Sequence, residues 1–324
     1  MPTRFARCMF ALASLISFLI VMTTPFASAQ SITWRKLNPT NSPGPLSGMA
    51  MTYDPVSKKI VCFGGFNGSA YTDDTWLFDG STWTQASIPT PPPVRTSAAI
   101  AVDRAHSQLI LFGGYNGSQY LSDTWIWDGS AETWTQANPT HVPTAVTGPM
   151  MFTDPMNGRA ELYGGFDGMF FTAGSWQWTG ADWSPLSPRT SPSARAAAVV
   201  ANDFANKTVV LYGGLGDINP MNSWTWDGTN WTEQHPSTQP PWTYDSSASF
   251  DPILNEVVVF GGSGLGNTTW AWTGTDWTTV STTNAPSARV LPGMAYDQES
   301  HELILFGGAS GNTTLGDTYK LVKR

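Results

Sequence analysis

The chain has 324 residues and a formal net charge of −8, with few charged side chains (12%) but 31 glycines, 24 prolines and 16 tryptophans. The acidic balance argues against nucleic-acid binding, which requires a basic face. The hydrophobic content of 41% argues against an intrinsically disordered chain. Many Gly, Pro and Trp residues with few charges favour short strands and tight turns over helices.

The start of the chain has the order of a secretory signal peptide. Positive charges precede an apolar stretch over residues 8–22, and the small residues Ala27 and Ala29 provide a cleavage site. The stretch of about 15 residues is shorter than the roughly 20 that cross a bilayer, so an uncleaved anchor is the less favoured alternative. We predict a signal peptide over residues 1–29 and a secreted or periplasmic mature chain, residues 30–324, without a membrane span.

One unit of about 50 residues repeats through the mature chain. Each copy contains a Gly-Gly pair: Gly64-Gly65, Gly113-Gly114, Gly164-Gly165, Gly213-Gly214, Gly261-Gly262 and Gly307-Gly308. A tryptophan precedes each pair by 30 residues: Trp34, Trp83, Trp134, Trp183, Trp231 and Trp277. An aspartate follows each tryptophan by 20 residues: Asp54, Asp103, Asp154, Asp203, Asp251 and Asp297. Only the segment between a Gly-Gly pair and the next tryptophan varies in length, so that segment contains a surface loop.

The second copy, residues 96–137, predicts four strands. Residues 96–102 are small and apolar, as expected of a crowded inner strand, and residues 109–112 are continuously apolar, as expected of a strand buried on both faces. After the Gly-Gly pair and a polar loop, residues 123–127 predict a third strand, and a fourth begins at Thr133. Each copy therefore predicts one four-stranded antiparallel sheet.

A lone sheet of this kind cannot bury both faces, whereas radial stacking of several sheets does so and leaves only short edges. The sequence therefore predicts an all-β fold, a six-bladed β-propeller of four-stranded antiparallel blades. Residues 318–322 predict a third strand without a fourth, and residues 32–37 predict a fourth strand without a blade. Pairing of these two segments would complete the last blade and close the ring.

The repeats resemble those of the kelch-repeat family. The match comprises the apolar strand that ends in Gly-Gly, the polar loop, the aromatic strand and the spaced tryptophans, and it covers residues 32–324. Residues such as Phe78 and Trp127 stand where tyrosine is commoner in that family, which affects packing and not architecture. The resemblance implies a propeller and three kinds of activity: protein-interaction platforms, copper enzymes resembling galactose oxidase, and a sialic-acid mutarotase.

No residue set for copper-oxidase chemistry is evident. Cys62 lies inside an apolar strand and is interpreted as a small buried hydrophobe. His106 and His301 occupy the same turn of two different repeats, and no two histidines have the local spacing of metal ligands. A hydrolase elbow and a phosphate-binding loop are also missing from the sequence. We therefore predict no catalytic residues, no metal and no cofactor.

Arginine stands 12 residues after the repeat tryptophan in alternate copies, as Arg95, Arg195 and Arg289. This position lies in the loop that leads into the inner strand. The resemblance to kelch proteins implies that this loop and the loop after Gly-Gly lie at one mouth of the channel. Three guanidinium groups facing one axis would clamp a carboxylate or sulfate. The alternative is that each arginine packs locally and donates hydrogen bonds to loop carbonyls.

Loop aromatics are expected at the same mouth. The candidates are Tyr71, Tyr120, Phe170, Phe171 and Trp242. Exposed aromatic faces inside a polar rim suit sugars or protein side chains. The alternative is that these rings cover the gaps between blades.

Two functional hypotheses follow from these observations. The first is a secreted, monomeric, non-enzymatic propeller that binds an extracellular or envelope protein or a glycan at the channel mouth. The second is a carbohydrate-active enzyme resembling the sialic-acid mutarotase, with Arg95, Arg195 and Arg289 holding an acidic sugar. The enzyme also requires a base, for which Asp245 is the candidate.

Overall fold

A computed structural model describes residues 31–216 and 220–323, so the predicted signal peptide over residues 1–29 lies outside the described residues. Within those two ranges the chain forms strands, turns and loops, and no helix is present. Six antiparallel four-stranded arrays follow one another along the chain. The predicted all-β fold with six four-stranded blades is confirmed.

The strands are named in chain order. β1 (Ile32–Leu37) comes first, and blade 1 contains β2 (Ala50–Asp54), β3 (Lys59–Phe63), β4 (Thr75–Phe78) and β5 (Trp83–Gln85). Blade 2 contains β6 (Ala99–Asp103), β7 (Gln108–Phe112), β8 (Thr124–Asp128) and β9 (Thr133–Gln136). Blade 3 contains β10 (Met150–Thr153), β11 (Ala160–Tyr163), β12 (Ser175–Trp178) and β13 (Trp183–Leu186).

Blade 4 contains β14 (Val199–Asp203), β15 (Thr208–Tyr212), β16 (Ser223–Trp226) and β17 (Trp231–Gln234). Blade 5 contains β18 (Ser247–Asp251), β19 (Glu256–Phe260), β20 (Thr269–Trp272) and β21 (Trp277–Val280). Next come β22 (Thr282–Thr283), β23 (Gly293–Asp297), β24 (Glu302–Phe306), β25 (Ala309–Ser310), β26 (Thr313–Thr314) and β27 (Thr318–Lys323). Blade 6 has the order β23-β24-β27-β1, and β25 and β26 form a separate small hairpin.

The two ends of the described chain close the propeller. β1 pairs antiparallel with β27 along its whole length, from Ile32 opposite Lys323 to Leu37 opposite Thr318. This confirms the predicted closure, and β22 adds a short parallel strand on the outer edge of β1. Trp34 in β1 is fully buried, and its Nε1 donates to Thr269 Oγ1 of blade 5 at 2.9 Å.

The repeat tryptophans join neighbouring blades. In five cases the indole N–H donates to the hydroxyl that opens the third strand of the preceding blade, at 2.9 to 3.1 Å. The pairs are Trp34–Thr269, Trp83–Thr318, Trp134–Thr75, Trp183–Thr124 and Trp277–Ser223. An indole buried between two sheets needs such an acceptor, because an unpaired buried N–H is costly. The fixed tryptophan spacing thus reflects one repeated contact between blades.

At the Gly-Gly end of the channel, the blades are also joined by a closed ring of backbone hydrogen bonds, here called the backbone ring. Its members are Gly48, Ser97, Gly148, Ala197, Asp245 and Leu291, all with φ between 52° and 66°. The N–H of each residue donates to the carbonyl of the preceding member, and Gly48 donates to Leu291, with distances of 2.7 to 3.0 Å. The inner strand of blade 2 begins at Ala99 and not at the predicted residue 96, because Ser97 adopts this left-handed conformation.

One core position departs from the repeat. The residue three places before each Gly-Gly pair is aliphatic in five blades, but it is Glu161 in blade 3. Glu161 is only 1% exposed, and Gln177 Nε2 donates to its Oε1 at 2.8 Å. Burial, together with the neighbouring carboxylate of Asp154, raises the pKa of Glu161 to about 9.

We expect Glu161→Gln to make the protein less sensitive to alkaline pH. Below pH 4.5, the ordinary pKa of glutamate, both folded and unfolded states hold the proton. Between there and pH 9 the unfolded state releases it while the folded state retains it, so wild-type stability falls as pH rises. The variant should gain stability relative to wild type progressively over this range, reaching on the order of 2–4 kcal/mol.

Urea unfolding at acidic, neutral and alkaline pH measures this difference. Val210→Ala, at the equivalent position of blade 4, is the matched control, since it removes core packing without removing a titratable group. Its cost should be the same at every pH. A difference between Glu161→Gln and wild type that does not change with pH would contradict the interpretation.

Candidate functional site

The three arginines of the predicted clamp are buried in their own blades. Arg95, Arg195 and Arg289 are 1%, 0% and 2% exposed. In each, Nε donates to the carbonyl two residues earlier, and Nη1 donates to the carbonyl of the first glycine in the same blade's Gly-Gly pair at 2.8 to 3.1 Å. Each guanidinium therefore fixes the loop that enters the inner strand to the end of the second strand.

The remaining guanidinium donors bind side chains of the same blade. Arg95 forms a bidentate pair with Asp123, both distances being 2.7 Å, and Arg289 contacts both oxygens of Asp317, at 2.7 and 3.4 Å. Burial alone would raise the pKa of Asp123, but the bonds from Arg95 outweigh it, and the pKa is lowered. Arg195 has no carboxylate in this position and donates to Asn222 Oδ1 at 3.0 Å.

These contacts correct the expectation of an open clamp. Arg95, Arg195 and Arg289 bind carbonyls and side chains of their own blades, and the geometry fits local packing, the alternative considered for them. Sequence reasoning did not connect Arg95 with Asp123, which lies 28 residues later. The signal was nevertheless present, since an aspartate occupies the equivalent place after Arg289.

The cavity along the channel lies toward the end opposite to the predicted mouth. A central cavity of about 1100 Å³ is lined by the inner strands and by the turns that follow the repeat aspartates. Arg104, Phe204, Ile253 and His301 lie at its rim. The loops after Gly-Gly, which carry Tyr71, Tyr120 and Phe170, therefore form a separate surface beyond the backbone ring.

That surface carries a continuous row of aromatic rings, here called the aromatic belt. It consists of Phe66, Tyr71, Tyr115, Tyr120, Phe166 and Phe171, and all six rings are half-buried. Successive ring centroids are 5.3, 6.0, 5.1, 6.0 and 5.0 Å apart, so the row runs unbroken across blades 1 to 3. Such edge-to-face and tilted contacts stabilise aromatic clusters beyond simple burial.

The same short hairpin builds each segment of the belt. In blade 2, Asn116 Oδ1 accepts hydrogen bonds from the backbone N–H of Ser118 and Gln119, at 2.9 and 2.8 Å. Asn67 and Asp167 make the same turn in blades 1 and 3. The glycine after this turn residue has φ of 98° at Gly117 and 99° at Gly168. A Cβ there would lie 2.7 Å from the Tyr71 ring or 2.4 Å from the Tyr120 ring, so glycine is required for one loop to pack on the next.

Predicted mouth residues divide into three groups. Tyr71, Tyr120 and Phe171 belong to the belt. Tyr71 and Tyr120 also pack on the loop of the neighbouring blade, so both interpretations of them describe part of the geometry. Phe170 lies beside the belt at a loop tip and is 63% exposed. Trp242 lies apart from the belt, where its Nε1 donates to Gly214 O at 2.9 Å and its ring packs on Tyr244.

Sequence reasoning missed the first ring of each pair and the apolar neighbour of Phe170. Phe66, Tyr115 and Phe166 directly follow the Gly-Gly pairs of blades 1 to 3, where blades 4 to 6 have Leu215, Ser263 and Ala309. Aligning the repeats at Gly-Gly would have shown this change. Met169, beside Phe170, is 75% exposed.

The remaining candidate residues, Cys62 and Asp245, lie within the packed fold. Cys62 is fully buried, and burial raises the pKa of its thiol, in keeping with its interpretation as a small hydrophobe. Asp245 belongs to the backbone ring, and burial raises the pKa of its carboxyl to about 6.

Across residues 31–216 and 220–323, no three His, Cys, Asp or Glu side chains are grouped to hold a metal ion. Among the same residues no helix has the length and apolarity to span a membrane.

We expect Arg95→Ala to destabilise the protein by about 3–5 kcal/mol, because it leaves the largely buried carboxylate of Asp123 without its charge partner. Arg195→Ala should cost less, about 1–3 kcal/mol, because its side-chain partners are neutral. Urea unfolding of both variants at neutral pH measures the two costs. Wild-type stability in Arg95→Ala would contradict the structural role assigned to this arginine.

Comparison with known proteins agrees with the architecture. Residues 22–214, more than half of the chain, match the family model described as the KLHDC2/KLHL20/DRC7 Kelch-repeats domain. No curated protein matches the chain. The matched region extends through blades 1 to 3 and the first half of blade 4, and the same unit continues through blades 5 and 6 in register. With six blades, the repeated Gly-Gly strands and this match, the chain belongs to the kelch-repeat family.

Proposed function

We propose that this kelch propeller is a secreted or periplasmic, monomeric, non-enzymatic protein that binds a partner protein through the aromatic belt and the adjoining tip Met169-Phe170. Kelch propellers commonly serve as protein-interaction scaffolds. The observation that carries the proposal is the belt itself, a row of half-buried aromatic rings confined to one half of one face.

The composition of this surface favours a protein partner. Tyr, Phe and Met are enriched at the centres of protein interfaces, and the side chains that dominate affinity are often aromatic. Met169 and Phe170 project at 75% and 63% exposure, which is unusual for large apolar side chains without a partner. The belt holds neighbouring rings in place before binding, so less side-chain freedom is lost on association.

A glycan is the less favoured ligand for this surface. Sugar recognition of the stacking kind needs an aromatic face open to solvent. In the belt, Tyr71 meets Tyr115 at 88° and Tyr120 meets Phe166 at 89°, so ring faces are occupied by the edges of neighbouring rings. The alternative of an acidic-sugar enzyme would require Arg95, Arg195 and Arg289 to leave their local bonds.

Site-specific photo-cross-linking tests the proposal and captures the partner in the same experiment. A benzophenone amino acid replaces Phe170 in one sample and Ile253 in the control, since Ile253 is also exposed and apolar but lies at the opposite end of the propeller. In envelope extracts of the source organism we expect one protein to cross-link at position 170 and not at 253. Binding of that protein, once purified, should weaken at least tenfold in Phe170→Ala and remain unchanged in Ile253→Ala.

Equal affinities of the two alanine variants would contradict the belt as the binding surface. Binding to a glycan array that Phe170→Ala abolishes would replace the protein partner with a sugar. Both variants alter exposed side chains, so each should melt at the wild-type temperature.

We also propose that the protein is exported, because residues 1–29 have the arrangement of a signal peptide: positive charges, then an apolar stretch, then small residues. When the full chain is expressed in a secretion-competent bacterium, mass spectrometry of the exported protein should find an N-terminus at Gln30. Ala29→Arg should block cleavage, because the site accepts only small residues. Intact protein that begins at Met1 and stays in the cytoplasm would refute export.

A further inference from the structure

The walls of the central cavity are predominantly apolar. Two layers of side chains face it, one residue per blade in each. The deep layer, 17 residues after each repeat tryptophan, consists of Met51, Ile100, Met151, Val200, Ala248 and Met294. The outer layer, two residues further on, consists of Tyr53, Val102, Thr153, Asn202, Phe250 and Tyr296. Every deep-layer side chain is aliphatic, and the three methionines can adapt to different ligand shapes.

The two ends of the cavity are formed by different parts of the blades. The deep layer lies toward the backbone ring, and the lining stops short of the ring residues. Access is therefore assigned to the other end, where the turns after the repeat aspartates form the rim. Phe204 and Ile253 at this rim are 48% and 47% exposed. An apolar molecule would pass exposed apolar side chains at the rim and a mixed outer layer before it reached the apolar deep layer.

The charge of the rim is opposite to that of the protein. The sequence carries 24 acidic and 16 basic residues, yet within the described part of the chain no Asp or Glu side chain lines the cavity. The repeat aspartates nearest the rim, such as Asp203 and Asp251, are buried, and each accepts hydrogen bonds from its own turn. The cationic side chain at the rim is Arg104, in blade 2, and His301 of blade 6 also lies there.

Arg104 is held over the channel and not over its own blade. Its guanidinium carbon lies 4.7 Å from the ring centroid of Phe204, which belongs to blade 4, whereas Arg104 belongs to blade 2. Phe204 in turn packs edge-on against Phe250 of the outer layer. Among the described residues Arg104 has no carboxylate partner, so its charge is available to an incoming anion.

We propose that this cavity binds one amphipathic carboxylate of the fatty-acid class. Its alkyl tail would lie along the channel between the two layers, and its carboxylate would pair with Arg104 at the rim. The volume of about 1100 Å³ slightly exceeds the range of about 300–1,000 Å³ of ordinary small-molecule sites, which is sufficient for a chain of about 12 to 16 carbons. This site is separate from the aromatic belt and does not depend on it.

Displacement of 1-anilinonaphthalene-8-sulfonate, followed by its fluorescence, tests the proposal with dodecanoate and dodecanol as competitors. We expect wild-type protein to bind one dodecanoate with micromolar affinity. Ala248→Trp, which fills the deep layer, should weaken dodecanoate binding at least tenfold, and Val200→Phe serves if the tryptophan variant fails to fold. Phe170→Ala, at the opposite end, is the matched control and should bind like wild type.

Arg104→Gln separates head-group recognition from tail burial. It should weaken dodecanoate binding at least fivefold and change dodecanol binding less than twofold. The cavity assignment is overturned if dodecanoate does not bind at concentrations up to about 1 mM, or if a folded channel-filling variant binds it like wild type. An equal loss of both competitors in Arg104→Gln overturns the assignment of the carboxylate to this arginine.

Discussion

Six backbone hydrogen bonds around the channel axis impose the constraint on which the other contacts depend. Each blade contributes one residue in the left-handed conformation, and the circle from Gly48 to Leu291 and back closes only if successive blades present this residue at the same height. The constant separation of 30 residues between repeat tryptophan and Gly-Gly provides that regularity. Variation in length is confined to the segments between a Gly-Gly pair and the next repeat tryptophan, where it does not disturb the backbone ring.

The backbone ring also separates two surfaces with different chemistry. On one side, the Gly-Gly loops of blades 1 to 3 support a row of aromatic rings, while blades 4 to 6 lack them. On the other side, apolar turn tips come from a different set of blades, with Met156, Phe204 and Ile253 exposed in blades 3, 4 and 5. A nearly symmetrical scaffold thus carries two asymmetric surfaces, because loops and turn tips change without altering strand packing.

The architecture was predictable because it rests on registered features. Six Gly-Gly strands, the spaced tryptophans and an unpaired strand at each end specify the blades and their closure. The orientation of the Arg95 side chain was not predictable, because the same guanidinium can face a ligand or bind its own loop. Which of the two occurs depends on contacts with Asp123 and with the carbonyl of Gly113. The backbone ring was also not predictable, since nothing in the types of Ser97, Ala197 or Leu291 indicates a left-handed backbone.

The pairing of β1 with β27 has a consequence for the order of assembly. The two strands are separated by almost the whole chain, so the ring cannot close until residues 318–323 have been synthesised. Blades 1 to 5 consist of contiguous segments and can form in sequence, whereas β1 waits with both edges unpaired. During that interval its unpaired edges are exposed to mispairing between chains. Joining the two ends covalently and opening the chain between two other blades would make every blade contiguous and remove that waiting strand.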